Sequence, residues 1–366
     1  MEIWADMACA WAYVGKRRLE KAGIGEDVEI VWRPYVIDPM APTPSQPLEE
    51  ALRDPVAEGA LRACHPVLAP AENRARVARV AAAERIGETT AERTGEPAAG
   101  STGEPAGGSG SHVSREDADG TRRWGAVWRA NTFDAHRVIA LAYGLGGASL
   151  QETVVERILR AHFVEGADIA DRATLAALAS EAGLHGMAEA LERGDGADEV
   201  RSELLRGKAI GVSTSPTFLV GDTAVAGAQP PEVLADLAQN AAPAREVPDE
   251  VRWLRQAEAL LGVRDPLGAL RTLEPLLAEH GDDSAVRLLA ARAYFGSAQL
   301  GRARRTLESL LEHAPGDHYA RFLLGRTLER SGRHEQALPH LRLAAAMAPE
   351  PDYTDALRRV EDRLAV

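Results

Sequence analysis

The stretch Asp6-Met7-Ala8-Cys9-Ala10-Trp11-Ala12-Tyr13-Val14-Gly15-Lys16-Arg17-Arg18 holds the residues with the most chemistry to offer. Glu2-Ile3-Trp4 before it reads as a short strand, and residues 11–21 have helix-forming composition that ends at the breakers Gly23 and Gly25. Cys9 therefore falls where a strand gives way to the N-terminus of a helix. Unpaired backbone N–H groups and the helix dipole favour an anion there. Thiols so placed commonly ionise between about 3.5 and 7.5 rather than near 8.5, which would make Cys9 a nucleophile. Lys16 and Arg17 either add to that field or are solvated. The competing reading is a thiol packed inertly at the helix start.

The chain has two cysteines, so no disulfide framework holds it. Cys64 stands next to His65, a pair of metal-ligand type, but no second pair follows at ligand spacing, and no metal site is expected. A Cys9–Cys64 disulfide is open on sequence alone, because the Cα separation is not fixed. In the block Asn131-Thr132-Phe133-Asp134-Ala135-His136, Asp134 and His136 could line the cleft and tune the thiolate, His136 as a general base. A helix-capping Asn131 or Thr132 and a satisfied core His136 explain the same residues.

These candidates need a scaffold. Val28-Glu29-Ile30-Val31-Trp32 alternates and is β-branched, giving strand, helix and strand within about 33 residues, the βαβ unit of an α/β fold. Residues 36–50 carry four prolines and read as an extended connection. Helical runs are expected at 73–85, 132–148, 150–164, 171–182, 186–192 and 197–208. Between the first two, residues 87–123 are almost free of large apolar side chains and read as a disordered loop. Pro216 to Val220 and Thr223 to Ala226 are strands about the turn Gly221-Asp222, and Pro231 opens a helix to about Asn240. A terminal ββα after an inserted helical block (about 50–208) completes a thioredoxin-like topology over residues 1–240. Residues 241–249 are the linker.

At this point the sequence resembles the DsbA-like thioredoxin family, in particular its cytoplasmic FrnE-like dithiol-disulfide isomerases. Their stretch D-x-x-C-P-W-C-Y-x-G-K-R is matched by Asp6, Cys9, Trp11, Tyr13, Gly15, Lys16 and Arg17. Trp32-Arg33-Pro34, Asp38-Pro39, the Asn131–His136 block, Phe163-Val164-Glu165-Gly166 and Gly227-Ala228-Gln229-Pro230 also match. The resemblance implies Cys9 as nucleophile, with Trp11, Tyr13, Ser215 and Pro216 at the substrate. It also implies a cis Ser215–Pro216 bond whose Ser215 backbone pairs with an extended substrate. The departure is Ala12, where the family has its second cysteine, and Ala10 in place of proline. A dithiol resolves its own mixed disulfide. Cys9 alone would need an outside thiol such as glutathione or mycothiol, as co-substrate rather than as a tightly bound cofactor.

Beyond the linker, Ala269, Ala303 and Ala337 recur every 34 residues, and so do Leu273, Leu307 and Leu341. Ala257, Ala291 and Gly325 hold the matching small position twelve residues earlier, with Pro315 and Pro349 closing two units and Trp253 at a first repeat's aromatic position. That period is the tetratricopeptide signature, with a last helix near 354–364 capping the stack. Such an array holds a peptide or protein partner, docks on its own first domain, or mediates homodimer formation. A formal charge of −13 excludes a polyanion partner, whether nucleic acid or anionic membrane surface. The N-terminus has no basic and apolar leader, and no segment reads as a membrane span, so a cytoplasmic protein is expected.

Three functions fit. One is a monothiol-type thiol-disulfide oxidoreductase acting on a thiol- or disulfide-bearing protein or small molecule. Another is a redox-inactive peptide-binding scaffold. The third is a glutathione- or mycothiol-dependent isomerase or transferase similar to the 2-hydroxychromene-2-carboxylate isomerases, which carry serine where Cys9 stands.

Overall fold

A computed structural model describes residues 1–25, 28–55, 70–86, 124–241 and 246–365. The loop expected at 87–123 and the Cys64-His65 pair lie outside them. The chain divides into two compact units, Met1–Gly207 with Gly211–Arg245, and Lys208–Ile210 with Glu246–Val366.

The first unit is built on a four-stranded sheet. Strand β1 (Glu2–Ala5) leads through Cys9 into helix α1 (Ala10–Lys21) and then β2 (Val31–Pro34), which pairs parallel to β1 with Glu2 opposite Val31. The second strand was expected at 28–32. Met1 instead holds the approach, its amino group donating to Glu29 O at 2.7 Å and its carbonyl accepting from Val31 N at 2.9 Å, so the ladder starts three residues later. Sequence alternation cannot fix a register that the partner strand sets.

The proline-rich connection holds more order than its composition suggests. A two-residue strand β3 (Gln46–Pro47) pairs antiparallel with β4 (Trp128–Arg129), and between them come a short helix α2 (Leu48–Ala51) and helix α3 (Pro70–Ala83). Helix α4 (Phe133–Arg160) joins the two runs expected at 132–148 and 150–164, which meet at Gly147, whose φ of +68° breaks the helical geometry. It continues into a π-helical turn at Ala161–Glu165. Contrary to expectation, the run Phe133–Glu165 is long and apolar enough to cross a membrane. It packs here against β2 and the helices that follow, and Val138, Ala142, Val154, Val155, Ile158 and Leu159 are wholly buried on it. Gln151 from the same helix donates to Trp32 O and accepts from Trp32 N.

Helices α5 (Arg172–Glu181), α6 (Met187–Arg193) and α7 (Ala197–Ala209) follow, then β5 (Thr217–Val220), β6 (Thr223–Ala226) and α8 (Pro231–Asn240). The sheet order is β2-β1-β5-β6, with β5 antiparallel to both neighbours. Ile3, Trp4, Trp32 and Phe218 bury the sheet, with α1 and α8 packed together. This is the expected α/β, thioredoxin-like fold with a helical insertion.

The second unit is all helix: α9 (Asp249–Gly262), α10 (Pro266–Glu279), α11 (Ser284–Gly296), α12 (Leu300–His313), α13 (His318–Arg330), α14 (His334–Met347) and α15 (Pro351–Leu364). The 34-residue positions lie in the core between the helices. Ala257, Ala269, Ala291, Ala303 and Ala337 are wholly buried, as are Leu273, Leu307 and Leu341. Asp265, Asp283 and Asp317 cap α10, α11 and α13 by accepting from the first-turn amides. Tyr353, Ala356 and Val360 of α15 close the last repeat.

Candidate active site

Cys9 is the N-cap residue of α1, with extended backbone (φ −87°, ψ 109°). Its N–H donates to Asp6 O at 3.0 Å and its carbonyl accepts from Ala12 N at 2.9 Å, so the turn that carries the thiol is hydrogen-bonded on both sides. The Sγ–H donates to Ser215 O at 3.4 Å, and the Ser215–Pro216 bond is cis. Ser215 Oγ accepts from Asp6 N at 2.9 Å, tying the loop before β5 to the loop that presents Cys9. Pro216 is buried beside Gly15 of α1. Three of the sequence candidates thus meet at one point.

The expected low thiol pKa does not follow. Cys9 is 5% exposed, and burial pushes its thiol up to about 11. The Ser215 side chain and the amides of Ala12 and Trp11 pull the other way, and the Asp6 carboxylate raises it further. The helix N-terminus acts as anticipated, but desolvation of a thiolate at a nearly closed site outweighs it.

Lys16 and Arg17 lend the sulfur no free charge, and they are not solvated. Both are buried against α4, Lys16 Nζ lying 2.7 Å from Glu20 and Glu152 and 3.0 Å from Glu156. Arg17 pairs with Glu20 at 2.7 Å and with Glu156. Burial opposes their charge, yet these carboxylates hold both cations above their ordinary pKa.

Tyr13 corrects a second expectation. Its side chain is wholly buried and its hydroxyl donates to Glu156 at 2.9 Å. Burial, with Glu156, pushes the phenol up to about 12. It belongs to the support under α1 and is not among the residues that line the cavity at Cys9.

His136 is 2% exposed, and its Nε2 donates to Tyr35 O at 3.0 Å, 3.9 Å from Asp6 Oδ1. Burial keeps it below its ordinary pKa against the pull of Asp6, so it is neutral and engaged with the backbone. Asp6 in turn accepts from Ala8 N at 3.1 Å and Ile37 N at 2.6 Å. His136 thus reaches Cys9 only through Asp6. Asn131 accepts from Phe133 N and donates to Ala41 O, both at 3.1 Å, as a helix-start residue does. Asp134 pairs with Arg137 at 2.5 Å and Arg172 at 2.7 Å. Asn131 and Asp134 face a separate open depression with Asp168 and Asp171.

Cys9 opens onto a cavity of about 430 Å³ that sequence reading missed. Among the described residues, Cys9, Asp6 and Trp11 form one wall, Asn73, Arg74 and Val77 of α3 a second, and Trp124, Trp128, Arg129 and Phe163 a third. Trp11 Nε1 donates to Asn73 Oδ1 at 3.3 Å, and Trp128 Nε1 donates to Gly166 O at 2.9 Å. Trp124 stacks on Phe163 with ring centroids 5.4 Å apart. Phe163 belonged to a recognised block, and Trp124 and Trp128 stand four apart. Their convergence on Cys9 is tertiary, with no local signal.

A thioredoxin-like domain presenting one thiol at the start of its first helix, joined to an all-helical repeat unit, is the class that fold and site define. Residues 122–239 match the DSBA-like thioredoxin domain, and residues 260–324 and 299–360 match a tetratricopeptide repeat. The chain therefore carries a DsbA-like thioredoxin domain followed by C-terminal tetratricopeptide repeats, and its first domain has the fold of thiol-disulfide oxidoreductases. It is similar to a solved structure described as "probable DsbA oxidoreductase" from Streptomyces coelicolor, with 26% identity over 68% of this chain and 93% of that one, and a TM-score of 0.46. It is also similar to the cytosolic disulfide reductase DsbM from Pseudomonas aeruginosa, with 22% identity over 71% and 98% of the two chains and a TM-score of 0.36. No curated protein matches the chain significantly.

Proposed function

We propose that the protein is a cytoplasmic thiol-disulfide oxidoreductase that works through Cys9 alone. The observation that carries this reading is the placement of Sγ, at the start of α1, 3.4 Å from the carbonyl of the cis Ser215–Pro216 pair, and open on its other side to a cavity. In that reading the Cys9 thiolate attacks one sulfur of a substrate disulfide, the other sulfur leaves with the electron pair, and a mixed disulfide remains on Cys9. Ala12 offers no second thiol. A low-molecular-weight thiol such as glutathione or mycothiol then attacks the mixed disulfide and returns Cys9 as thiolate. Trp11 shapes the approach and Ser215 orients the substrate. The repeat array holds a protein or peptide partner. The cytoplasmic assignment rests on a chain with two cysteines and no disulfide framework.

The test is exchange of a mixed disulfide with low-molecular-weight thiol supplied. Cys9→Ser should abolish turnover, and equal rates for mutant and parent would remove the proposal. A redox-inactive adaptor is the second reading, favoured by the buried, high-pKa thiol and by Ala12. Partner binding through the repeats that is unchanged by Cys9→Ser, together with absent exchange at any pH, would select it.

A further inference from the structure

The cavity and the Ser215–Pro216 loop lie on different sides of the sulfur: neither Ser215 nor Pro216 lines the cavity. A substrate backbone paired with Ser215 would therefore leave the cavity empty. Its walls are unlike those of a peptide groove. Three indoles and a phenyl ring, from Trp11, Trp124, Trp128 and Phe163, meet in about 430 Å³, a volume suited to one compact small molecule. Flat aromatic walls favour a flat ring by offset or edge stacking.

The polar groups at the same walls are few and differ in how far they are satisfied. Arg129 and Asp38 neutralise each other at 2.7 Å. Arg74 is exposed and lines the cavity without an ion-pair partner among the described residues. One unpaired cation beside aromatic walls is complementary to a ring that bears an anionic substituent. The negative Asp6 beside the sulfur orients such a molecule with its anion away from Cys9 and toward Arg74.

We infer that this cavity binds a compact aromatic anion, its ring among Trp11, Trp124 and Phe163 and its charge at Arg74. Resting on the exchange reading above, the natural substrate is an aromatic thiol in disulfide form. The step balances: the Cys9 thiolate bonds to the non-aromatic sulfur of Ar–S–S–R and the aromatic thiolate leaves with the electron pair; an added thiolate R′–S⁻ then attacks the R sulfur of the mixed disulfide, forming R–S–S–R′ and releasing Cys9 as thiolate. No net oxidant is needed.

The test uses the full chain in a Cys64→Ser background. First, 2-naphthalenesulfonate is titrated by calorimetry into the Cys9→Ser form, with methanesulfonate as a control of equal charge and no ring. Binding below millimolar for the naphthyl ion only is expected, weakened about tenfold by Trp124→Ala and about threefold by Arg74→Ala. Arg74 is exposed, so its variant decides the matter even if Trp124→Ala fails to fold. No binding at millimolar naphthalenesulfonate, equal binding of methanesulfonate, or affinity unmoved by Arg74→Ala overturns the inference. Second, Cys9 is reacted with 5,5′-dithiobis(2-nitrobenzoate) and with hydroxyethyl disulfide, each rate divided by that of free glutathione. A preference of tenfold or more for the aromatic reagent, reduced by Arg74→Ala, is expected, and no preference overturns the substrate assignment. Binding of the naphthyl ion with no exchange at any pH supports the ring site and refutes only the redox reading.

Discussion

Raising the pH from 7 to 10 should speed the reaction of Cys9 with a disulfide reagent about a thousandfold, because each unit of pH below the thiol's half-point multiplies the thiolate by about ten. With Cys9 pushed up to about 11, only about one thiol in ten thousand is ionised at pH 7, against about three in a hundred for an ordinary thiol near 8.5. The more basic sulfur regains roughly tenfold through nucleophilicity. Cys9 should therefore react roughly twenty- to thirtyfold slower than free cysteine at pH 7, before any hindrance from its 5% exposure. The assay is 2,2′-dipyridyl disulfide on the Cys64→Ser chain, followed by thiopyridone release, with the labelled residue checked by mass spectrometry. A matching stability limb follows from linkage. A thiol that binds its proton more tightly folded than unfolded adds stability that is whole below about pH 9 and is lost as pH climbs through about 11, roughly 2–3 kcal/mol in all. The difference in denaturation midpoint between parent and Cys9→Ser should carry that limb. A reaction plateau below pH 8.5 would refute the reasoning, since the α1 amides would then outweigh burial.

Asp6→Asn removes a negative neighbour of the sulfur and should move the half-point of the same titration downward; an unchanged or higher half-point counts against the electrostatic account. Ala12→Cys places a second thiol one helical turn from Cys9, where Cα atoms are about 5–6 Å apart, so mild oxidation should close a bridge detectable as a loss of two hydrogens. A chain that stays reduced under diamide would contradict that geometry. Glu156→Ala strips a shared carboxylate from buried Lys16 and Arg17 and should cost roughly 3–5 kcal/mol in urea denaturation. Gly325→Ala should destabilise the repeat unit by about 1–3 kcal/mol, because the new Cβ would sit 2.6 Å from Leu341 Cγ and Cδ2; a neutral effect by thermal melting would show that the helices can part.

The parts legible in the sequence were those with a period or a local chemical reason. The 34-residue interval of Ala269, Ala303 and Ala337 reports helix contact directly, since only small side chains let the axes approach. The α1 boundary followed from the breakers Gly23 and Gly25. The misses are tertiary. The β3–β4 pair joins residues 46 and 129, a contact that no window of sequence contains. The low pKa expected of Cys9 used only the helix it starts and ignored the walls that desolvate it. Lys16 and Arg17 read as either helping the thiolate or being solvated, because the carboxylates that bury them, Glu152 and Glu156, lie more than 130 residues away in sequence. Tyr13 matched a family motif, but the carboxylate that holds its hydroxyl inside, Glu156, lies 143 residues away in sequence.

The edge of the sheet at β2 is finished by a single amide. Residues 31, 33 and 35 of this strand face β1, leaving 32 and 34 to face outward. Trp32 has both backbone groups held by Gln151 of α4, and Pro34 has no N–H to give. No main-chain donor of β2 remains on offer, so another chain cannot zip onto this side. Any backbone that extends the sheet must add at β6 instead, which confines strand-wise self-association to one rim of the domain.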